Sequence, residues 1–440
     1  MTTTTKSVTV HDRSSVAPLA AAEAAAEFRL PLTYFDMFWV YFHPIERLLF
    51  YPYPCSISNF LENIIPNLKI SLSKALTHYL PLSGNLLISQ NPDKPELRYC
   101  PGDSVLVTFA ESPIGDFDFD YLTGNQARDS GFDKIPLLAV QITLFPETGI
   151  SIGITNHHVA GDASSIVGFI KAWCSFAKLG ENGKIPVNPV YDRSLIRDPS
   201  GRADIFWNQI RASKLGASVA KLPTNRFRAT FILRKNEIEM LKNLALAKNP
   251  GLVHLSSFTV TTAYVWACMA KSAGPAGENI DENEPEYFGF AVDGRQRLDP
   301  PLPAAYFGNC LPFVVAEIEH GFLRGEDGFS TAAKSIGDLI ANKVNNKDEL
   351  MREADEWLVK YGPLFRKRYV GVAGSPKFDL YDADFGWGKP SKYEAVSIDR
   401  ESSISLCRSR ECEGGLEIGL SLVREKMDAF AAIFHDGLKM

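Results

Sequence analysis

Apolar residues recur along the chain with two different periods. Ile150, Ile152 and Ile154 alternate with Ser151, Gly153 and Thr155, the period of a strand with one face turned to a core. Val140, Ile142 and Leu144 repeat it just upstream, and residues 146–149 supply a turn, which predicts a hairpin. The helical period is as clear. Leu61, Ile64, Leu68, Leu72, Ala75 and Tyr79 fall on one stripe and predict a helix over residues 57–79, kinked at Pro66. Beyond the hairpin, Asp162 and Ser164 offer caps to a helix that carries Ile166, Val167, Ile170, Trp173 and Phe176. The second half restarts with a strand at 228–233, then a helix and a further segment at 256–270. An acidic Gly- and Pro-bearing loop is expected at 274–286. Strands at 292–297 and 311–317, a helix from about 332 to 360, and strands at 394–398, 404–408 and 416–422 precede a closing helix. Strands and covering helices in two halves predict an α/β fold with mixed sheets.

A chain of 440 residues, 45% hydrophobic, is too long for one ordinary core and predicts two domains. The Gly-, Pro- and Asn-rich stretch 180–202 looks like a crossover. The expected division is a first domain over 1–198, a crossover over 199–222 and a second domain over 223–440, with a segment near 373–394 joining the first. A formal charge of −6 without a clustered basic surface gives no sign of nucleic-acid binding. The seven cysteines include no CxxC pair, which fits reduced thiols in a cytoplasmic protein. The Thr-rich start has no signal-type apolar run, and no run of about 18 apolar residues occurs, so no membrane span is expected.

The predicted strand at 150–155 runs into His157 and His158. Adjacent side chains on an extended segment face opposite ways, so the two should not share a task. Zinc would need further ligands at matching spacing, and none lies near, so no metal is expected. A pair of packed structural histidines is the plain alternative.

His158-Val159-Ala160-Gly161-Asp162 resembles the HxxxD motif of the plant BAHD acyltransferases, which use coenzyme A thioesters. Asp384-Phe385-Gly386-Trp387-Gly388 resembles their DFGWG motif, and Tyr306-Phe307-Gly308-Asn309-Cys310 the YFGNC signature of the branch acting on anthocyanins and other flavonoid glycosides. The resemblance runs from Leu30 to the end of the chain. It implies two chloramphenicol-acetyltransferase-like domains with a solvent channel between them, a monomer, and His158 as general base. Only the first half carries the motif, since His254, His320 and His435 stand alone, so one site is expected. The implied co-substrate is malonyl-CoA, with no permanently bound cofactor, and the acceptor a phenolic glucoside. An aromatic acyl-CoA donor and a non-catalytic ligand-binding relative are the alternatives. A condensation-type domain is disfavoured because Ala163 stands where its motif has Gly.

The same resemblance places Asp36 and Phe38 at the border of an acceptor site, within an aromatic run whose other members suit a core. For Asp162 it favours a structural salt bridge, with Arg295 as partner, over a catalytic dyad. Asp384, Gly386, Trp387 and Gly388 become architectural support on the coenzyme A side, with Trp387 as oxyanion donor the rival view. Lys248, Ser256, Ser257, Ser375 and Lys377 are candidates for coenzyme A contacts. A malonyl carboxylate needs a cation, and Arg193 of Tyr191-Asp192-Arg193-Ser194 is the candidate. Its alternative is a local pair with Asp192 or Asp198.

Overall fold

The computed structural model describes residues 8–19, 26–88, 94–113, 134–212, 225–252, 254–400 and 403–439. The chain forms two compact units: Met1–Ala217 with Leu302–Cys310 and Phe378–Ser397, and Ser218–Pro301 with Leu311–Lys377 and Ile398–Met440. The first unit thus takes back two later segments, one bearing Tyr306–Cys310 and the other Asp384–Gly388. Leu302–Cys310 has no periodic pattern that would have announced its return.

A mixed six-stranded sheet organises the first unit, in the order Thr9–Val16, Val105–Glu111, Leu138–Phe145, Gly149–Asn156, Ile45–Tyr51 and Lys392–Ala395. Val105–Glu111 and Leu138–Phe145 run parallel, and the other neighbours are antiparallel. The predicted hairpin is present, with Ile142 opposite Ile152. Every residue of Gly149–Asn156 is buried. The alternation therefore marks two covered faces rather than one, because Ser151, Gly153 and Thr155 are enclosed as well. Phe28–Pro31, Glu96–Tyr99, Asn85–Leu87 and Lys134–Pro136 form a smaller antiparallel sheet.

Two helices, Ile65–His78 and Ala163–Leu179, pack together, and Trp173 Nε1 donates to Ser71 Oγ at 3.1 Å. The helix expected at 57–79 is interrupted by a wide turn at Phe60–Ile64, where Ile65 N reaches back to the Phe60 carbonyl. Pro66 follows at once. It lacks an N–H and crowds the preceding turn, and the wide turn accommodates both.

The second unit holds another mixed sheet, ordered Arg226–Leu233, Leu416–Val423, Ser403–Arg408, Arg368–Ala373, Pro285–Ala291 and Phe313–Glu319. Ser257–Ala273, Gly328–Leu339 and Arg424–Asp436 supply helical cover. Two expectations shift here. The strand placed at 292–297 lies at Pro285–Ala291 and begins in the last two residues of the expected acidic loop, where Glu286 is buried against charged partners rather than solvated. The long helix at 332–360 breaks after Val344, and Asn346 caps a new short helix by accepting from Asp348 N at 3.2 Å. Among the described residues no helix is long and apolar enough to cross a membrane.

Candidate active site

Strand Gly149–Asn156 ends in an extended His157 (φ −71°, ψ 128°) that caps a single turn, His158–Ala160. The His157 ring is fully buried and its Nδ1 accepts from Val159 N at 3.2 Å, which puts its proton on Nε2. The His158 ring stacks on the Trp39 indole with centroids 3.7 Å apart and planes 9° from parallel. Phe42 meets it edge-on at 5.8 Å. Desolvation in this setting lowers the His158 pKa from 6.5 to about 3. The Arg47 and His43 side chains act in the same direction, while interactions with its own main chain and with Asn309 oppose it. The imidazole is therefore neutral at physiological pH, with a lone pair available. Arg47 is held by Asn156, to whose Oδ1 its Nη1 donates at 2.5 Å.

Asp162 begins the helix Ala163–Leu179. It accepts from Ser165 N at 3.2 Å and Ser165 Oγ at 3.3 Å through one oxygen, and from Cys310 N at 3.2 Å through the other. Gly161 lets the turn close, since a Cβ there would lie 2.8 Å from Ser165 Cβ. The returning segment then lies across the turn as a strap. Gly308 N donates to Ser165 Oγ at 3.0 Å, and Asn309 Nδ2 donates to the carbonyls of His158 at 3.0 Å and Val159 at 3.4 Å. Gly308 sits at φ 143°, and any side chain there would overlap the Arg193 guanidinium.

Two expected ligand-facing residues hold this strap. Asp36 is fully buried: one oxygen accepts from Thr33 N and Oγ1 at 2.9 and 2.8 Å, the other from Asn309 N and Nδ2 at 3.1 and 3.0 Å. It is a structural hub rather than an acceptor-site wall. Arg193 is 9% exposed, and its Nη1 donates to Tyr306 Oη at 2.6 Å and to the Phe307 carbonyl at 2.8 Å. Asp36 lies 4.0 Å from its Nη2. These contacts are internal rather than a pair with Asp192 or Asp198, while Nε and Nη2 of Arg193 complete no hydrogen bond. Asp192 accepts from Ser194, and Asp198 from the main chain of Arg202 and Ala203. Sequence distance hid the Tyr306 hydroxyl that faces Arg193 in the fold.

Phe38 is partly exposed and packs edge-on against Phe206 at 5.0 Å. In the Asp384–Gly388 loop, Asp384 Oδ1 accepts from Gly386 N at 2.8 Å and Gly388 N at 2.9 Å, and its other oxygen takes Lys178 at 2.6 Å. Both glycines have positive φ, 100° and 86°. Trp387 stacks near Tyr53 at 5.7 Å and meets Tyr51 edge-on at 5.5 Å. This loop is a self-capped turn around packed rings.

In the second unit Arg295 is buried and donates from its main chain and Nη1 to Asp293, both at 3.1 Å. Lys248 pairs with Asp327 at 2.9 Å. Ser256 caps the helix Ser257–Ala273, accepting from Thr259 N at 3.1 Å, with Ser257 as that helix's first residue. Ser375 accepts from Lys377 N at 3.3 Å. Sequence reasoning missed Trp39, Phe42, Arg47 and Asn309. The only signal for Asn309 was a lone amide among Tyr306, Phe307, Gly308 and Cys310; Trp39 was one aromatic among many.

The profile of the transferase family matches residues 6–436. A malonyl-coenzyme:anthocyanin 5-O-glucoside-6'''-O-malonyltransferase of Salvia splendens is 47% identical, covering 99% of this chain and 96% of that protein. A phenolic glucoside malonyltransferase of Nicotiana tabacum is 46% identical over 94% of this chain and 96% of its own length. Among solved structures, vinorine synthase superimposes with a TM-score of 0.71 at 19% identity, covering 96% of both chains, a likeness of fold.

Proposed function

The chain belongs to the transferase family of BAHD acyltransferases, and on that premise we propose that it transfers a malonyl group from malonyl-CoA to a sugar hydroxyl of an anthocyanin, another flavonoid or a related phenolic glucoside. The observation that carries this is 47% identity to an anthocyanin malonyltransferase along nearly the whole of both chains. The neutral imidazole of His158, stacked on Trp39, supports it chemically.

A thioester is already activated, and its thiol leaving group has a pKa near ~8.5 if it behaves like cysteine. No covalent enzyme intermediate is needed. The slow step is attack by a weakly acidic sugar hydroxyl. His158 takes the hydroxyl proton as the new C–O bond forms at the malonyl carbonyl, a contribution of about 10²- to 10⁴-fold. The C–S bond then breaks, and the imidazolium returns the proton to the departing sulfur. Protons and electron pairs balance without a metal or redox partner. Asp162 acts by shaping the turn, since its oxygens are directed to Ser165 and Cys310.

A donor panel tests the assignment. Malonyl-CoA, acetyl-CoA and coumaroyl-CoA are each incubated with the purified enzyme and with anthocyanin or simple phenolic glucosides, and product masses are read. Malonyl esters are expected to dominate. Exclusive formation of coumaroyl esters would move the enzyme to the aromatic-acyl branch, and no turnover with any donor would make it a binding relative. A cytoplasmic monomer belongs to the same proposal, and light scattering should give the mass of one chain.

A further inference from the structure

Arg226, Lys367, Arg368 and Lys426, with Glu278 and Glu286, line one cavity of about 320 Å³ in the second unit. All of its lining residues belong to that unit, whereas His158 belongs to the first. The sheet brings these charges together. Strands Arg226–Leu233, Pro285–Ala291, Arg368–Ala373 and Ser403–Arg408 begin at one end of it, where Leu416–Val423 finishes. Ser375 and Lys377 follow the opposite end of Arg368–Ala373. The helix Ser257–Ala273 has Met269 on the cavity wall and Ser256 as its cap, about 20 Å apart at 1.5 Å per residue. The cavity is thus separate from those three candidate coenzyme A contacts.

Its charges do not balance. Glu278 already takes Arg368 at 3.2 Å and Lys426 at 2.6 Å, and Glu286 takes Arg368 at 3.0 Å and the His320 ring. Arg226 and Lys367 are left over. Arg226 Nη1 donates to the Ser421 carbonyl at 2.6 Å, and Lys367 Nζ lies 5.6 Å from the centroid of the Tyr287 ring. Among the described residues no carboxylate pairs with either cation. Arg226 is half-buried and Lys367 stands exposed at the rim. Ser421 also lines the cavity; it is 4% exposed, and its Oγ completes no hydrogen bond. A buried hydroxyl without a partner calls for an account. Two uncompensated cations and an unused hydroxyl around one cavity make the donor set of an anion site.

We propose that this cavity binds a phosphate group, as inorganic phosphate or as a small phosphate monoester. The Arg226 guanidinium offers a planar fork to two phosphate oxygens, and Lys367 adds a point charge from the rim. Ser421 is the neutral donor. The two carboxylates do not oppose the anion strongly, because each already has a cation of its own. A monoanion would leave one of the two spare cations unmatched, which favours a dianion. A cavity of about 320 Å³ falls at the small end of ligand sites, with room for a short organic tail. No bond is made or broken, and the site takes no part in acyl transfer.

Isothermal titration calorimetry on the intact enzyme tests this at constant ionic strength. Coenzyme A is kept saturating, so that contacts to its own phosphates do not contribute. Inorganic phosphate and glucose 6-phosphate are the probes. At least one should bind at a single saturable site, and the tighter of the two tells free phosphate from a phosphate ester. In Arg226→Gln/Lys367→Gln the affinity should fall at least about tenfold, as the loss of a charged hydrogen bond implies. Lys367→Gln alone changes an exposed position, so it should fold and bind severalfold more weakly; it decides the matter if the double variant does not fold. Neither saturable heat nor a rise in melting temperature with either probe would overturn the proposal. Unchanged affinity in the folded variants would overturn it too, since the phosphate would then sit elsewhere.

Discussion

Each unit ends a sheet strand near a histidine that opens a helical turn, His320 buried and His158 half-buried, and the two are treated in opposite ways. In the second unit His320 follows strand Phe313–Glu319, and its Nδ1 lies 2.5 Å from Glu286 Oε1. The same carboxylate takes Arg368 Nε at 3.0 Å, Arg368 continues to Glu278 at 3.2 Å, and Lys426 closes on Glu278 at 2.6 Å. That imidazole is tied into a charge ladder. In the first unit His158 meets an indole face and a phenyl ring, and among the described residues no carboxylate pairs with its ring. Burial alone therefore does not make a histidine reactive. A carboxylate partner turns a buried histidine into a fastener, while aromatic walls leave it desolvated with its lone pair available.

The sharpest way to break this comparison is to truncate both rings. His158→Ala should lose at least about 100-fold in kcat/KM while melting close to wild type. His320→Ala should do the reverse, keeping its rate per folded molecule and losing about 1–3 kcal/mol of stability as the buried Glu286 forfeits one of its two partners. A His158→Ala enzyme retaining more than roughly a tenth of the wild-type rate would end its assignment as base. A catalytic defect in folded His320→Ala would show that the fastener does more than fasten.

Arg193 comes next. Removing its guanidinium leaves Asp36 without the nearby cation and frees Tyr306 and the Phe307 carbonyl, for a loss of about 3 kcal/mol. Because it acts through the strap, malonyl and acetyl transfer should fall by the same factor. A tenfold larger loss with malonyl-CoA would return Arg193 to the donor carboxylate. Asp162→Asn should be milder, since asparagine also caps helices. One of its two acceptor positions becomes an NH2, so the contact to Ser165 or to Cys310 N is lost, and melting temperature and activity should drop together. Lost activity with an unchanged melting temperature would revive a His–Asp dyad.

What the sequence made legible follows from what is local. The hairpin at 138–156, the helix after Asp162 and the last two strands are written in short-range periodicity and are found where that periodicity puts them. The strand expected at 394–398 lies instead at Lys392–Ala395 and gives way to a helical turn at Val396–Asp399. His158 was legible because a strand, a loop and a cap surround it within a dozen residues. The strap was not. Asn309 lies 151 residues from His158, and its amide acquires meaning only when Asp36, 273 residues away, orients it. Asp36 and Arg193 illustrate the converse. A charged side chain beside a candidate site reads as a ligand contact until the fold supplies an internal partner, and here the partners were Thr33, Asn309 and Tyr306. The wide turn before Pro66 and the break at Asn345–Asn346 are backbone adjustments that residue periodicity does not encode.

The smallest expected effect is a shift along the pH axis, and it isolates the aromatic wall. Burial lowers the His158 pKa to about 3 from an ordinary 6.5. Between those values the unfolded chain binds a proton that the folded enzyme refuses, so this group's contribution to stability is complete above pH 6.5 and declines as pH falls toward 3. For activity the acid limb keeps the direction of an ordinary histidine and is displaced to lower pH. The acid limb of kcat/KM should lie well below pH 6.5, leaving the profile flat between about 5 and 7, where an unperturbed imidazole would already have lost half its base. Trp39→Leu removes the stacked indole and admits water to one ring face. Desolvation is relieved, the pKa climbs toward 6.5, and the acid limb moves up, while the rate at pH 7.5 changes only a few-fold because the ring is neutral there in both enzymes. His320, whose partners are charged, has no such wall to lose. A limb that stays in place in folded Trp39→Leu would mean that the desolvation comes from elsewhere in the unit, and a wild-type limb at 6.5 would show that His158 is not desolvated at all.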